Sequence, residues 1–118
     1  MTTVLIVDDE EDIRFIYTRA LGKRHDVLAA ENGQKAIDLY KQHSPDIVIM
    51  DSRMPDMEGI EATREIISHD AQARIIGATG YSDLSSAFKE AGAVSVIEKP
   101  FSLETLMKTV EKYIVDDV

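Results

Sequence analysis

Five residues carry the chemistry this sequence can perform: Asp8 and Asp9 in "VDDE", Asp51 in "IVIMDSRMP", Thr79 in "GAT" and Lys99 in "EKPF". Each stands at the end of a short apolar run. Carboxylates brought close together repel one another, so gathering three of them requires a cation or raised pKa values. A hard divalent ion with oxygen ligands answers that requirement. Mg²⁺ fits a site that offers a few carboxylates and leaves positions for water and a phosphate oxygen. Three aspartates, one lysine and one Mg²⁺ sum to zero formal charge, which suits the site to an anionic group.

Whether these residues meet depends on the elements that carry them. Apolar runs at 3–7, 26–30, 46–50, 74–78 and 93–97 are candidate strands. Most are nearly continuous and not alternating, as in a sheet covered on both faces; "DVLAA" at 26–30 is the weakest and is expected at an edge. Between them lie amphipathic helices. The first places Ile13, Ile16, Tyr17, Ala20 and Leu21 on one stripe and ends at Gly22. Others are expected at 33–43, 57–68, 83–91 behind an N-capping Ser82, and 102–115 behind Ser102.

Strands alternating with helices imply parallel pairing through right-handed crossovers, with ligands beyond the carboxyl ends of the strands. All five residues then fall at one sheet edge. Singly, each fits an ordinary role as turn residue or helix cap. Independent capping would seldom bring all five together.

Composition narrows the function. The chain has 118 residues, the size of one domain, and no cysteine, which rules out disulfides and thiolate metal sites. The expected location is cytoplasmic. No apolar run approaches a membrane span and "MTTVLIV" lacks the basic region of a signal peptide. A net charge of −9 repels phosphate backbones and anionic lipid, so neither nucleic acid nor membrane is expected as a direct partner. His25, His43 and His69 show no ligand spacing and are expected on the surface.

Taken together, "VDDE", "DSRMPDMEG", "AT" and "KPF" resemble a receiver domain of a two-component response regulator, of the chemotaxis-type, flavodoxin-like fold. The resemblance runs from Asp8 to Phe101. It implies an α/β fold, a doubly wound (βα)5 five-stranded parallel sheet in strand order 2-1-3-4-5 with helices on both faces. Asp51 is then the nucleophile that takes a phosphoryl group from a phosphohistidine on a sensor histidine kinase or histidine phosphotransfer protein. Asp9 and Asp51 would bind Mg²⁺ directly with the backbone carbonyl of Arg53, and Asp8 through a metal-bound water. Lys99 and Thr79 would contact the phosphoryl oxygens, with backbone N–H groups near Ser52 and Gly80. The Lys99–Pro100 bond is expected to be cis, and Pro55 with Gly59 to shape the loop beside Asp51.

One departure stands out. Three residues before Lys99 the family commonly has Tyr or Phe, and this chain has Val96; Tyr81 and Phe101 are the aromatic candidates to replace it. Arg53 and Tyr81 flank the path of the attacking water in this family, which implies slow dephosphorylation. Phe15 falls off the apolar stripe and is expected either packed under a neighbouring loop or exposed near Asp9, where a donor helix docks. The signal is expected to leave through the fourth helix, fifth strand and fifth helix toward a downstream protein. The chain ends soon after its fifth helix, so a single receiver domain without an output domain is expected over 1–118.

A flavodoxin-like cofactor binder shares the architecture but needs a Gly- or Ser/Thr-rich phosphate loop where this chain has "VDDEED". An aspartyl phosphatase places a second Asp two residues after its nucleophile in the first strand's loop, which "DDE" does not match. A degenerate receiver acting as a phosphorylation-independent interaction module remains the alternative, although all five site residues are present. The expectation is a switch with self-phosphorylation and autophosphatase chemistry, and not a turnover enzyme.

Overall fold

A computed structural model describes residues 2–54 and 57–114. Pro55 lies outside the described residues, as does residue 115, the expected end of the last helix. The elements are β1 (Thr3–Val7), α1 (Glu11–Leu21), β2 (Asp26–Ala30), α2 (Gly33–His43), β3 (Ile47–Asp51), α3 (Gly59–His69), β4 (Ile75–Thr79), α4 (Ser82–Ala91), β5 (Ser95–Glu98) and α5 (Leu103–Tyr113). The strands form one parallel sheet in the order β2-β1-β3-β4-β5. This is the expected doubly wound fold, with the weak run "DVLAA" at an edge.

The near-continuous apolar strands are explained by what covers them. Successive side chains point to opposite faces, and both faces are buried. Leu5, Val7, Val48, Met50 and Ile75 pack under α2, α3 and α4, against Ile37, Ile66 and Phe88. Val4, Ile6, Ile47, Ile49 and Ile76 pack under α1 and α5, against Leu21, Leu106 and Val110. Gly77 of β4 is needed for this packing: a Cβ there would lie 2.5 Å from the Phe88 ring of α4. Among the described residues no helix is long and apolar enough to cross a membrane.

Several boundaries differ from the sequence expectation. β3 and β4 run one residue further, so Asp51 and Thr79 are the last residues of their strands and share the ladder. β5 begins at Ser95, two residues later than the apolar run. α3 begins at Gly59, because residues 57–58 belong to the loop after β3. Ser82 is the first residue of α4 and not its cap; Tyr81 occupies the capping position without a side-chain hydrogen bond. Ser102 does cap α5, accepting from the Thr105 N–H at 3.1 Å. Gly22 closes α1 in a right-handed conformation, its N–H donating to the Thr18 carbonyl. His43 and His69 are exposed, whereas His25 is half-buried with its Nδ1 enclosed and unpaired among the described residues.

Candidate phosphoacceptor site

Parallel strands end at the same edge, so the fold brings the five residues together. Asp8 and Asp9 follow β1, Asp51 and Thr79 close β3 and β4, and Lys99 follows β5. The ladder pairs Asp51 with Ala78 and Thr79 with Glu98, which sets the three strand ends side by side. Asp8, Asp51 and Thr79 are buried; Asp9 is exposed.

At the centre, Lys99 Nζ lies 2.6 Å from Asp51 Oδ1 and 3.8 Å from Asp8 Oδ2. Carboxylate oxygens of Asp8, Asp9 and Asp51 lie within 4.8 Å of one another. Asp8 is fixed from two sides: its Oδ1 accepts the Glu10 N–H at 2.9 Å, and its backbone carbonyl accepts from Arg14 Nη1 at 2.9 Å. The Lys99–Pro100 peptide bond is cis, as expected.

Burial dominates the electrostatics. It pushes the Asp8 carboxyl up to about 6, against the pull of the Glu10 N–H and with the push of the Asp51 charge. Burial also raises Asp51, although the Lys99 hydrogen bond and charge oppose it. Desolvation pulls the Lys99 ammonium down, but its hydrogen bond to Asp51 and the charges of Asp51 and Asp8 outweigh that, and its pKa is raised. One ammonium therefore does not neutralise the cluster. Close oxygen donors with surplus negative charge fit a hard divalent cation such as Mg²⁺.

The surrounding groups complete the pocket. Thr79 Oγ1 accepts the Tyr81 N–H at 3.1 Å, which leaves its hydroxyl hydrogen to donate elsewhere. The Ser52 N–H donates to the Ala78 carbonyl at 3.1 Å and also lies against the Asp51 carboxylate, favouring its ionised form. Gly80 is exposed, with room around its Cα up to the Lys99 side chain. Arg53 and Tyr81 are exposed and touch: the guanidinium lies 4.6 Å from the ring centroid. Val96 packs in the core cluster that contains Phe88, while Phe101 lies against Tyr17, their ring centroids 6.0 Å apart. Phe15 is 60% exposed, so the packed alternative for it does not occur.

Sequence reasoning missed Tyr17. Its place on the apolar stripe of α1 assigned it to the core, yet it also lines a cavity beside Lys99. The periodicity gave the face for Ile13, Tyr17, Ala20 and Leu21 but not for Ile16, which is exposed; only the position of the turn after β5 shows what that face meets.

Fold and site define a doubly wound α/β protein whose sheet gathers three carboxylates, a lysine and a threonine at its carboxyl edge. Comparison with known proteins gives the family. The family model for the response regulator receiver domain matches residues 4–111. Chemotaxis protein CheY of Bacillus subtilis is 43% identical over 113 residues, covering 92% of this chain and 94% of that protein. Sporulation initiation phosphotransferase F of the same organism is 33% identical, covering 94% and 92%. The solved structure of chemotaxis response regulator CheY4 of Vibrio cholerae superposes with a TM-score of 0.89 at 30% identity, covering 96% and 98%. The chain belongs to the response regulator receiver domain family of two-component signalling.

Proposed function

We propose that this receiver is a phosphorylation-dependent switch in which Asp51 accepts a phosphoryl group from the phosphohistidine of a sensor kinase or phosphotransfer protein. The observation that carries this reading is the 2.6 Å contact of Lys99 Nζ with Asp51 Oδ1 inside the cluster of Asp8, Asp9 and Asp51. Asp8, Asp9 and Asp51 would hold Mg²⁺, together with the Arg53 backbone carbonyl. When bound, the ion supplies positive charge to the carboxylates and to the incoming phosphoryl oxygens.

The chain's own residues do the rest by position and charge. The Asp51 carboxylate, held at the end of a fully buried strand, is the nucleophile. Lys99 pairs with phosphoryl oxygens once it leaves the carboxylate. Thr79 donates its free hydroxyl hydrogen to one of them, and the backbone around Ser52 and Gly80 closes the cradle. The stacked Arg53 and Tyr81 side chains obstruct water, which gives slow loss of phosphate. Phe15 and Ile16 on α1, flanked by Arg19 and Lys23, form an apolar and basic surface for a donor helix. The phosphoryl group makes different contacts in two conformations and so shifts their populations; the output face is α4–β5–α5. The protein is a switch and not a turnover enzyme.

Mg²⁺-dependent labelling by a small phosphodonor tests this reading. Wild type takes up phosphate and loses that capacity in EDTA, and Asp51→Asn takes up none. Equal labelling of the two proteins would refute the assignment of Asp51. No labelling of wild type would favour a phosphorylation-independent interaction module.

A further inference from the structure

An open cavity of about 440 Å³ lies between the start of α1 and the turn after β5. Its lining divides by chemistry. Lys99 and Glu10 bring opposite charges; Ile13, Tyr17, Pro100 and Phe101 bring apolar and aromatic surface. The Tyr17 and Phe101 rings are inclined at 32° and form an aromatic wall. The Tyr17 hydroxyl makes no hydrogen bond to any described residue, so the ring is placed by packing alone. Lys99 belongs to the cavity and to the phosphoacceptor pair at once, since its Nζ reaches Asp51.

That set of groups, a cation, an aromatic wall and a carboxylate around one cavity, complements one kind of phosphodonor. A phosphorylated imidazole carries a negative phosphoryl group at one ring nitrogen and, when protonated, an N–H at the other. We propose that this cavity is a leaving-group subsite for the imidazole ring of the donor histidine, with Glu10 accepting the hydrogen bond from the ring N–H remote from phosphorus. The proposal rests on the phosphohistidine reading above and adds which residues recognise the ring.

The chemistry balances without another reactant. An Asp51 carboxylate oxygen forms the new O–P bond as the P–N bond breaks, and that bond's electron pair returns to the ring nitrogen. A ring that enters protonated on its remote nitrogen leaves as neutral imidazole, still carrying that proton. The Glu10 carboxylate favours the protonated donor, whose ring is the better leaving group. Aromatic contact with Tyr17 and Phe101 holds the ring without requiring a further polar group. An acyl phosphate such as acetyl phosphate has neither ring nor N–H and gains nothing from these residues.

The test compares two donors on the same protein. Second-order rate constants for phosphorylation by phosphoimidazole and by acetyl phosphate are measured, in excess Mg²⁺, for wild type, Glu10→Gln and Tyr17→Leu. The phosphoimidazole-to-acetyl-phosphate ratio is expected to fall about tenfold in Glu10→Gln, the scale of one hydrogen bond to a charged group. In Tyr17→Leu it is expected to fall about fivefold, the scale of a lost aromatic contact. Glu10 is exposed, so its variant carries the test even where Tyr17→Leu disturbs packing. An unchanged ratio in Glu10→Gln overturns the subsite while leaving the phosphoacceptor reading intact. Failure of both donors to label wild type overturns that reading and the subsite with it.

Discussion

The guanidinium of Arg53 lies over the ring of Tyr81, 4.6 Å from its centroid. The two residues stand in different loops, two positions after Asp51 and two after Thr79, and their contact joins the loops that follow β3 and β4. Both side chains are exposed. Stacked, each limits the other's motion, and a cation–π contact at such a site contributes about 0.5–1 kcal/mol.

From this contact follows a change in phosphate lifetime. Arg53→Asn combined with Tyr81→Glu removes the stack and places a carboxylate where it can orient water. Dephosphorylation is expected to accelerate about tenfold, equivalent to roughly 1.4 kcal/mol on the barrier. Decay of radiolabelled protein after removal of the donor measures it. An unchanged half-life would sink the idea.

Gly59 gives a second prediction. A Cβ at this position would overlap the backbone carbonyl oxygen of Asp51, because the start of α3 packs directly on the end of β3. The Gly59 N–H also donates to the Ser52 carbonyl at 2.9 Å. Gly59→Ala must push the helix or the strand aside, at a cost on the order of 2 kcal/mol. Urea unfolding checks the loss of stability, and the rate of labelling checks the displacement of Asp51. Wild-type values in both would show that the helix moves freely.

Away from the pocket, pH dependence is expected at Tyr40 and Asp70. The Tyr40 hydroxyl donates to Asp70 Oδ2 at 2.8 Å. This bond, with a second from the Gln72 N–H, holds the Asp70 carboxyl below its ordinary value of 3.8. A carboxyl lowered by folding contributes stability above that ordinary value and loses it as pH falls through the folded value. Asp70 is only partly buried, so the contribution is small, about 0.5 kcal/mol. Tyr40→Phe is therefore expected to be less stable than wild type at pH 7 by about that amount, with the difference shrinking below about pH 4. Urea titrations at both pH values decide; a difference that grows on acidification contradicts the sign.

How much of this was legible in the sequence depended on what each signal encodes. The apolar runs marked five strands, most clearly β1, β3 and β4, whose two faces are both buried, and parallel connection then placed Asp8, Asp51, Thr79 and Lys99 at one edge. Hydrophobicity could not show that Asp51 and Thr79 extend the ladders, because a polar residue at a strand end still makes backbone hydrogen bonds. Ser82 has the chemistry of a cap, yet it lies inside the first turn of α4, a one-residue difference that side-chain preference does not resolve. Tyr17 and Arg53 show a further gap. The resemblance already named Arg53 and Tyr81 together, but the contacts of Tyr17 with Phe101 and of Arg53 with Tyr81 join residues remote in sequence, and no local pattern encodes which side chain lies across a loop.

A stabilising response to Mg²⁺ is expected on electrostatic grounds. Burial above all, with a smaller push from the Asp51 charge, lifts Asp8 to about 6, although the Glu10 N–H and Lys99 oppose it, so the pocket favours an added positive charge. A ligand that binds only the folded state stabilises it by about 2.7 kcal/mol at a hundredfold excess over its Kd. The Tm of wild type is therefore expected to rise with MgCl2 well beyond its response to NaCl at equal ionic strength, which accounts for screening alone. Asp9→Asn removes an exposed carboxylate from the cluster without opening a buried cavity, and most of the Mg²⁺-specific rise should disappear with it. Differential scanning calorimetry over a Mg²⁺ series makes the comparison. Equal Mg²⁺ responses in the two proteins would place the ion elsewhere.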